Sequence, residues 1–426
     1  MAPPNVLYIV CHDLGRCLGA YGRRPIRSPN LDRLAAEGIR FTNHFCTAPY
    51  CSPSRGCITT GRYPHANGLE GLVNLGWELP ATETTTQEHL RAAGYETWLF
   101  GGQHERSDPH ALGYDHVDVK APREDYPRRI AECLAAAPRE PFYLNYFIPE
   151  PHRPFLKAQR QPGRIYGLPN YDEVDDPGDA VWVQPHLPDH PIVRKEMGGF
   201  QRLVEAMDDR VGQVLDALDR SGLAERTLVV FTTDHGIDMP RAKGTLYDPG
   251  IETAMIMRWP GTIQPGAVSH DLLSHVDLLP TLLEIAGVPP PGSLQGRSYL
   301  PILQGRPYTP RQEIFAELGD IDPMRAIRTR THKLIFNVRS HKTQSPPSAE
   351  IMDLVATVPD WLTRRRPLAE LYDLVHDPLE MQNLWKDPAC ADIQADLKAR
   401  LIAWMTDTGD PLLSGTLRVP NLVATL

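Results

Sequence analysis

The chain of 426 residues has no apolar run approaching the ~20 residues needed to cross a bilayer. Its N-terminus lacks a basic region ahead of the apolar segment Asn5 to Val10. That segment is therefore expected to be a buried strand rather than a signal peptide, in a soluble, cytoplasmic protein with no membrane partner. Positive charge is not in excess: 44 Lys and Arg against 53 Asp and Glu leave a formal net charge of −9, a poor basis for general nucleic-acid binding. Seven cysteines form no Cys-x-x-Cys pair and are too few, and odd in number, for a disulfide scaffold. What remains is an ordinary globular balance, 41% apolar and 23% charged, which excludes wholesale disorder and suits two or three domains at this length.

Apolar strands are expected at Val6 to Val10, Glu96 to Phe100, Pro141 to Ile148 and Thr227 to Thr232, with helices at Asn30 to Gly38, Thr86 to Ala93 and Phe200 to Leu218. Strands alternating with helices predict an α/β fold, a largely parallel sheet sandwiched by helices. Each of the four strands runs into polar residues: Cys11-His12-Asp13, Gly102-Gln103-His104, Glu150-Pro151-His152 and Asp234-His235-Gly236. The carboxyl ends of strands are where ligands bind in open α/β sheets. The Pro-, Asp- and Gly-rich stretch 157–191 is expected to form a pocket wall or lid. A Pro-rich connection, 287–311, separates a larger α/β unit, 1–310, from a smaller C-terminal α+β unit, 311–426. There, strands at Glu313 to Ala316 and Lys333 to Val338 form an antiparallel sheet covered by a helix at Ala391 to Met405.

The most specific segment is Cys51-Ser52-Pro53-Ser54-Arg55-Gly56-Cys57-Ile58-Thr59-Thr60-Gly61. It fits the pattern C-x-P-S-R followed by an apolar residue and T-G, and so resembles the signature of the sulfatase family. Ser28 to Leu34, Gly38 to Asn43, Lys243 to Gly250, Val276 to Thr281 and Leu371 to Leu374 also resemble that family. His65-Ala66-Asn67-Gly68 is similar to its heparan N-sulfatase (sulfamidase) branch. The resemblance implies an alkaline-phosphatase-like fold and the cleavage of a sulfate ester or sulfamate.

For Cys51 the resemblance implies oxidation to formylglycine by a formylglycine-generating enzyme. The hydrated aldehyde attacks sulfur, and the sulfated diol then collapses to release sulfate. Arg55 is expected to hold the diol. Asp13, Asp234 and His235, with the modified Cys51, match metal-ligand positions, and His12 is either a ligand or outside the coordination shell. Carboxylates suit Ca²⁺, and an imidazole moves the preference toward Mn²⁺ or Zn²⁺. His104 matches a base for the collapse step, and His152 and Lys243 match a pair that binds a sulfate oxygen and assists the leaving group. His65 and Arg325 are expected to help read the rest of a small-molecule or saccharide substrate.

Three positions depart from the family pattern. His12 stands where an aspartate is common. Gly102 stands where relatives carry a lysine, so a positive charge is missing or comes from elsewhere, with Arg106 and Arg153 as the candidates. Asp234-His235 replaces the usual Asp-Asn and keeps open a phosphonate monoester or phosphodiester hydrolase. The substitutions at His12 and Gly102 keep open a catalytically silent homologue that binds sulfated ligands. The sequence leaves the oligomeric state, a homo-oligomer included, undecided.

Overall fold

The computed structural model describes residues 3–156, 181–319, 322–338 and 366–418. Most of the stretch expected to form a pocket wall, 157–180, lies outside the described residues. Fourteen strands are described: β1 (Asn5–Cys11), β2 (Ile39–Phe41), β3 (His44–Phe45), β4 (Glu96–Phe100), β5 (His116–Asp118), β6 (Phe142–Phe147), β7 (Thr227–Thr233), β8 (Met255–Arg258), β9 (Ala267–Ser269), β10 (Leu273–Ser274), β11 (Glu313–Leu318), β12 (Met324–Thr329), β13 (His332–Asn337) and β14 (Ala369–Asp373). Eight form one sheet in the order β5-β4-β6-β1-β7-β8-β2-β9. Only β8 runs against its neighbours, pairing antiparallel with both β7 and β2.

The period-2 alternation of β1 shows why this sheet is covered on both faces. Leu7, Ile9 and Cys11 join one core, with Leu31 and Leu34 of helix Pro29–Glu37, Ile130 of helix Tyr126–Ala135 and the apolar stripe of helix Pro191–Arg220. Val6, Tyr8 and Val10 join the other, with Ile58, Leu90, Leu278 and Leu282 from helices on the opposite side. Each fully buried Leu, Ile or Val stabilises the sandwich by about 1.5–3 kcal/mol. Helix Pro191–Arg220 starts nine residues before the expected Phe200. Gly198-Gly199 hides the periodicity there, yet glycine is needed: a Cβ on Gly199 would lie 2.7 Å from the Phe155 carbonyl oxygen.

The signature segment forms helix Cys51–Thr60, all ten residues of which are buried, and Gly61 ends it at φ 64° in the left-handed region. The second sheet, β11-β12-β13-β14, is antiparallel in sequence order. Ile314, Ala316 and Ala326 on one face pack against Phe45, Leu246 and Ile251, while Phe315, Ile327 and Leu334 on the other lie under helix Ala391–Asp407. Buried Lys333 pairs with Asp248 (2.6 Å) and Glu380 (2.7 Å), tying this sheet to the loop that carries Lys243. No helix among the described residues is long and apolar enough to cross a membrane.

Candidate active site

Strands β4, β6, β1 and β7 are consecutive in the large sheet, so the four polar clusters at their carboxyl ends meet. Asp13, just past β1, is held at φ 49°. That conformation is disfavoured for a residue with a Cβ, though aspartate tolerates it better than most. Its N–H donates to Asp234 Oδ1 (2.9 Å), as does the N–H of His235 (2.9 Å). The His235 Nδ1 lies 2.9 Å from the Gly236 carbonyl. With its proton given to that carbonyl, Nε2 presents a lone pair 3.3 Å from Asp13 Oδ1 and 3.4 Å from Cys51 Sγ.

Cys51 is the first residue of the signature helix, whose Arg55 donates from Nη2 to the Cys11 carbonyl (3.2 Å) and to Asp234 Oδ2 (3.2 Å). Lys243 Nζ donates to Asp13 Oδ2 (2.8 Å), and His152 Nε2 lies 3.9 Å from the same oxygen. His12 Nδ1 lies 2.9 Å from Asp234 Oδ2, and its ring stands edge-on to His104 (centroids 5.1 Å apart) and His152 (5.3 Å). The structure thus gathers Asp13, His12, Cys51, Arg55, His104, His152, Asp234, His235 and Lys243 around one point.

Burial raises the Cys51 thiol well above its ordinary pKa despite the charge of Lys243. Burial also pushes His104 down to about 3, reinforced by the positive charge of Arg55, and lowers His152 and His12. Asp234 goes the other way. Burial opposes its ionisation, but its interactions with the His235 and His12 imidazoles, the His12 hydrogen bond included, and with the Arg55 guanidinium outweigh it and hold the carboxyl well below the usual range. For Lys243 burial is outweighed by the carboxylates of Asp13 and Asp238, so the ammonium stays charged.

The donor set fits a divalent cation. One atom each from Asp13, Cys51, Asp234 and His235 lie within 4.8 Å of one another, and a second group replaces Asp234 and His235 by His12 and His152. Asp13 Oδ1 is buried without a hydrogen bond. Two hard carboxylates with an imidazole make an acceptable set of donors for Mn²⁺, Zn²⁺ or Ca²⁺.

Sequence reasoning missed Asp238, four residues past Asp234, which lies 3.7 Å from Lys243 Nζ. It also missed Ser54, whose hydroxyl donates to the Asp234 carbonyl (2.5 Å) and lies 3.0 Å from His275 Nδ1. Asp238 was legible as an acid on the same loop as a site residue; the Ser54 to His275 contact spans 221 residues and left no local signal.

The sulfatase family model matches residues 4–288, and the model described as N-sulphoglucosamine sulphohydrolase, C-terminal, matches 241–356. The chain belongs to the sulfatase family. This sulfatase is 32% identical to human (Homo sapiens) arylsulfatase A over 90% of its own length and 83% of that protein's. It is 30% identical to human N-sulphoglucosamine sulphohydrolase over 96% of its length and 91% of that protein's. A solved structure in complex with its substrate D-glucosamine-2-N,6-O-disulfate shares the fold with a TM-score of 0.73 at 22% identity, covering 96% of this chain and 99% of that one. The phosphonate monoester hydrolase of Agrobacterium radiobacter shares it with a TM-score of 0.73 at 20% identity, covering 95% and 96%. The chain is therefore a sulfuric ester hydrolase, and the likeness to the phosphonate hydrolase is one of fold.

In this sulfatase the lysine missing at residue 102 is not replaced by Arg106 or Arg153. Arg106 gives its protons to the carbonyls of Leu79, Pro80, Glu83 and Ala111. Arg153 is committed to the Asp238 carbonyl and to Glu196, over the ring of Phe155. A cavity of about 580 Å³ opens beside Gly102 and His104, with Tyr126 and Phe147 in its wall. His65 and Arg325 lie together elsewhere. The His65 Nδ1 is 2.5 Å from Glu317 Oε2, and Arg325 is 2% exposed and paired with Asp410 (2.9 Å). Both are buried in one ionic network, which differs from the substrate-facing position expected of them.

Proposed function

We propose that this sulfatase cleaves N- or O-sulfated saccharides using a formylglycine made from Cys51 by a dedicated maturation enzyme, with a divalent cation held by Asp13, Asp234 and His235. The observation that carries this reading is the place of Cys51. Its sulfur sits at the start of a fully buried helix, 3.4 Å from His235 Nε2 and beside two carboxylates. A thiol held neutral there is a poor nucleophile in its own right, which suits a residue that works only after oxidation. Oxidised and hydrated, residue 51 supplies the oxygen nucleophile. A cation held by the two aspartates and His235 would supply positive charge that favours the ionised nucleophile and offsets charge on the sulfuryl group.

The remaining roles belong to the chain. Arg55 orients residue 51 by charge-assisted hydrogen bonding. Lys243, held charged, binds a sulfate oxygen. His152, whose side chain is 21% exposed, faces the leaving group. His104, neutral at working pH, accepts a proton from residue 51 as sulfate is released. His12 orients Asp234 from 2.9 Å, and its place in the second donor group makes it an alternative ligand. The saccharide assignment is supported by the match to an N-sulphoglucosamine sulphohydrolase model and by the substrate named for the structural neighbour.

The test is mass spectrometry of Cys51 in protein co-expressed with the formylglycine-generating enzyme, with sulfate release measured on N- and O-sulfated glucosamines beside aryl sulfates. Conversion of Cys51, and loss of release in Cys51→Ala, are expected. Activity retained in Cys51→Ala would exclude the mechanism. His235 favours one second reading, phosphodiester or phosphonate hydrolysis, and faster turnover of such esters by the same metal-loaded protein would establish it.

A further inference from the structure

On the same carboxyl rim of the large sheet, three strands from β1, the loop between β1 and helix Pro29–Glu37 and the end of β2 enclose a second cavity of about 560 Å³. By strand spacing its centre is roughly 14 Å along the rim from the end of β1. Four arginines, Arg16, Arg23, Arg24 and Arg40, line it with one carboxylate, Asp32. Asp32 is already engaged by the Ala20 N–H (2.6 Å) and the Ser28 hydroxyl (3.0 Å). Arg16 is neutralised by Glu252 (3.0 Å from Nε).

The other three arginines have no such partner. Among the described residues no carboxylate pairs with Arg23, Arg24 or Arg40. Arg40 gives one proton to the Ala20 carbonyl, and its Nε is buried without a hydrogen bond. The Nε of Arg23 is likewise buried without one, with the guanidinium 5.3 Å over the ring of Trp182. Guanidiniums gathered without counter-charge repel one another, and each buried donor without an acceptor forgoes a hydrogen bond. A tetrahedral oxyanion removes both penalties, because its oxygens match the planar donor forks of several arginines at once.

We propose that this cavity is an accessory anion site that takes a sulfate group, either free sulfate or a second sulfate ester of a polysulfated saccharide. It is separate from the reacting centre, and it holds whether or not Cys51 is the nucleophile precursor.

Trp182 is the reporter. The full chain carrying Cys51→Ala, so that no ester is turned over, is titrated with inorganic sulfate and with disulfated glucosamine while tryptophan emission is followed. Chloride at matched ionic strength is the control, and Trp182→Phe assigns the signal among the seven tryptophans. A saturable change is expected, with affinity at least tenfold weaker in Arg23→Gln/Arg24→Gln. Saturation by inorganic sulfate identifies the free ion as ligand; saturation by disulfated glucosamine alone identifies the substrate-borne group. No saturable change, an equal response to chloride, or undiminished affinity in the double variant overturns the proposal. Diffraction from selenate-soaked crystals is the second measurement, independent of the variants. An anomalous peak within hydrogen-bond distance of Arg23 and Arg40 is expected, and a cavity left empty while selenate fills the Lys243 site overturns it.

Discussion

The ring of Phe147 stands against Gly102: a Cβ on residue 102 would lie 3.2 Å from its Cδ1 and 3.3 Å from its Cε1. The same ring carries the Arg55 guanidinium 4.5 Å above it and stands edge-on to His12. The loss of a lysine and the presence of this phenylalanine are therefore one local arrangement, in which an aromatic face supports the arginine of the signature helix.

Restoring the lysine without moving the ring is expected to be unfavourable. Gly102→Lys should destabilise the protein by about 1–3 kcal/mol through overpacking. Combined with Phe147→Ala, its cost should be smaller than when it is introduced alone, a coupling of about 1 kcal/mol in a double-mutant cycle. Chemical denaturation of the four proteins measures it, and additive effects would show that ring and residue are independent.

The network of His65, Glu317, Arg325 and Asp410 is expected to act on stability rather than on substrate. Asp410→Ala removes the carboxylate that takes two hydrogen bonds from the buried Arg325 and should cost about 3 kcal/mol. The KM for a small sulfated substrate should change less than twofold. A large rise in KM at unchanged stability would return Arg325 to the substrate-reading role suggested by its sequence context.

The same network sets a pH window. For Glu317 and Asp410 burial opposes ionisation, but the charges and hydrogen bonds of His65 and Arg325 outweigh it and lower both carboxyls. Their contribution is full above the unfolded values, 4.5 and 3.8, and is lost as pH falls through the lowered folded values. For His65 burial is outweighed by Glu317, so its pKa is raised, and its contribution is full below 6.5 and lost as pH rises through the raised value. Stability from this cluster should therefore be greatest between pH 4.5 and 6.5. Melting temperature against pH, native beside Glu317→Gln, checks this: the variant should lose the advantage within that window.

Cation binding should register as stability independently of turnover. Mn²⁺ or Zn²⁺ added to chelator-treated protein is expected to raise the melting temperature with concentration, by the equivalent of about 2.7 kcal/mol at a hundredfold excess over Kd. His235→Ala should shift that dependence to higher metal concentration. A response unchanged in His235→Ala would place the ion elsewhere.

The sequence by itself determined more of this protein than its irregular loops suggest. The apolar runs at β1, β4, β6 and β7 were legible because buried parallel strands must be nearly continuous in hydrophobic residues, and the signature helix was legible because its pattern is local. The short strands β2, β3, β5, β9 and β10 carried too few residues to show a period, and β8 is polar only at its end, so they emerged from pairing alone. Only the tertiary structure decided which polar clusters meet. The order β4-β6-β1-β7 sets Asp234, 221 residues from Asp13 in the chain, within hydrogen-bonding reach of it. It also decided that His65 and Arg325 turn inward to each other's ion network, and that Arg106 and Arg153 spend their donors on carbonyls and Glu196 rather than on the pocket. Residue type limits what a side chain can do; burial and the partners that the fold brings within about 3 Å select which of those things it does.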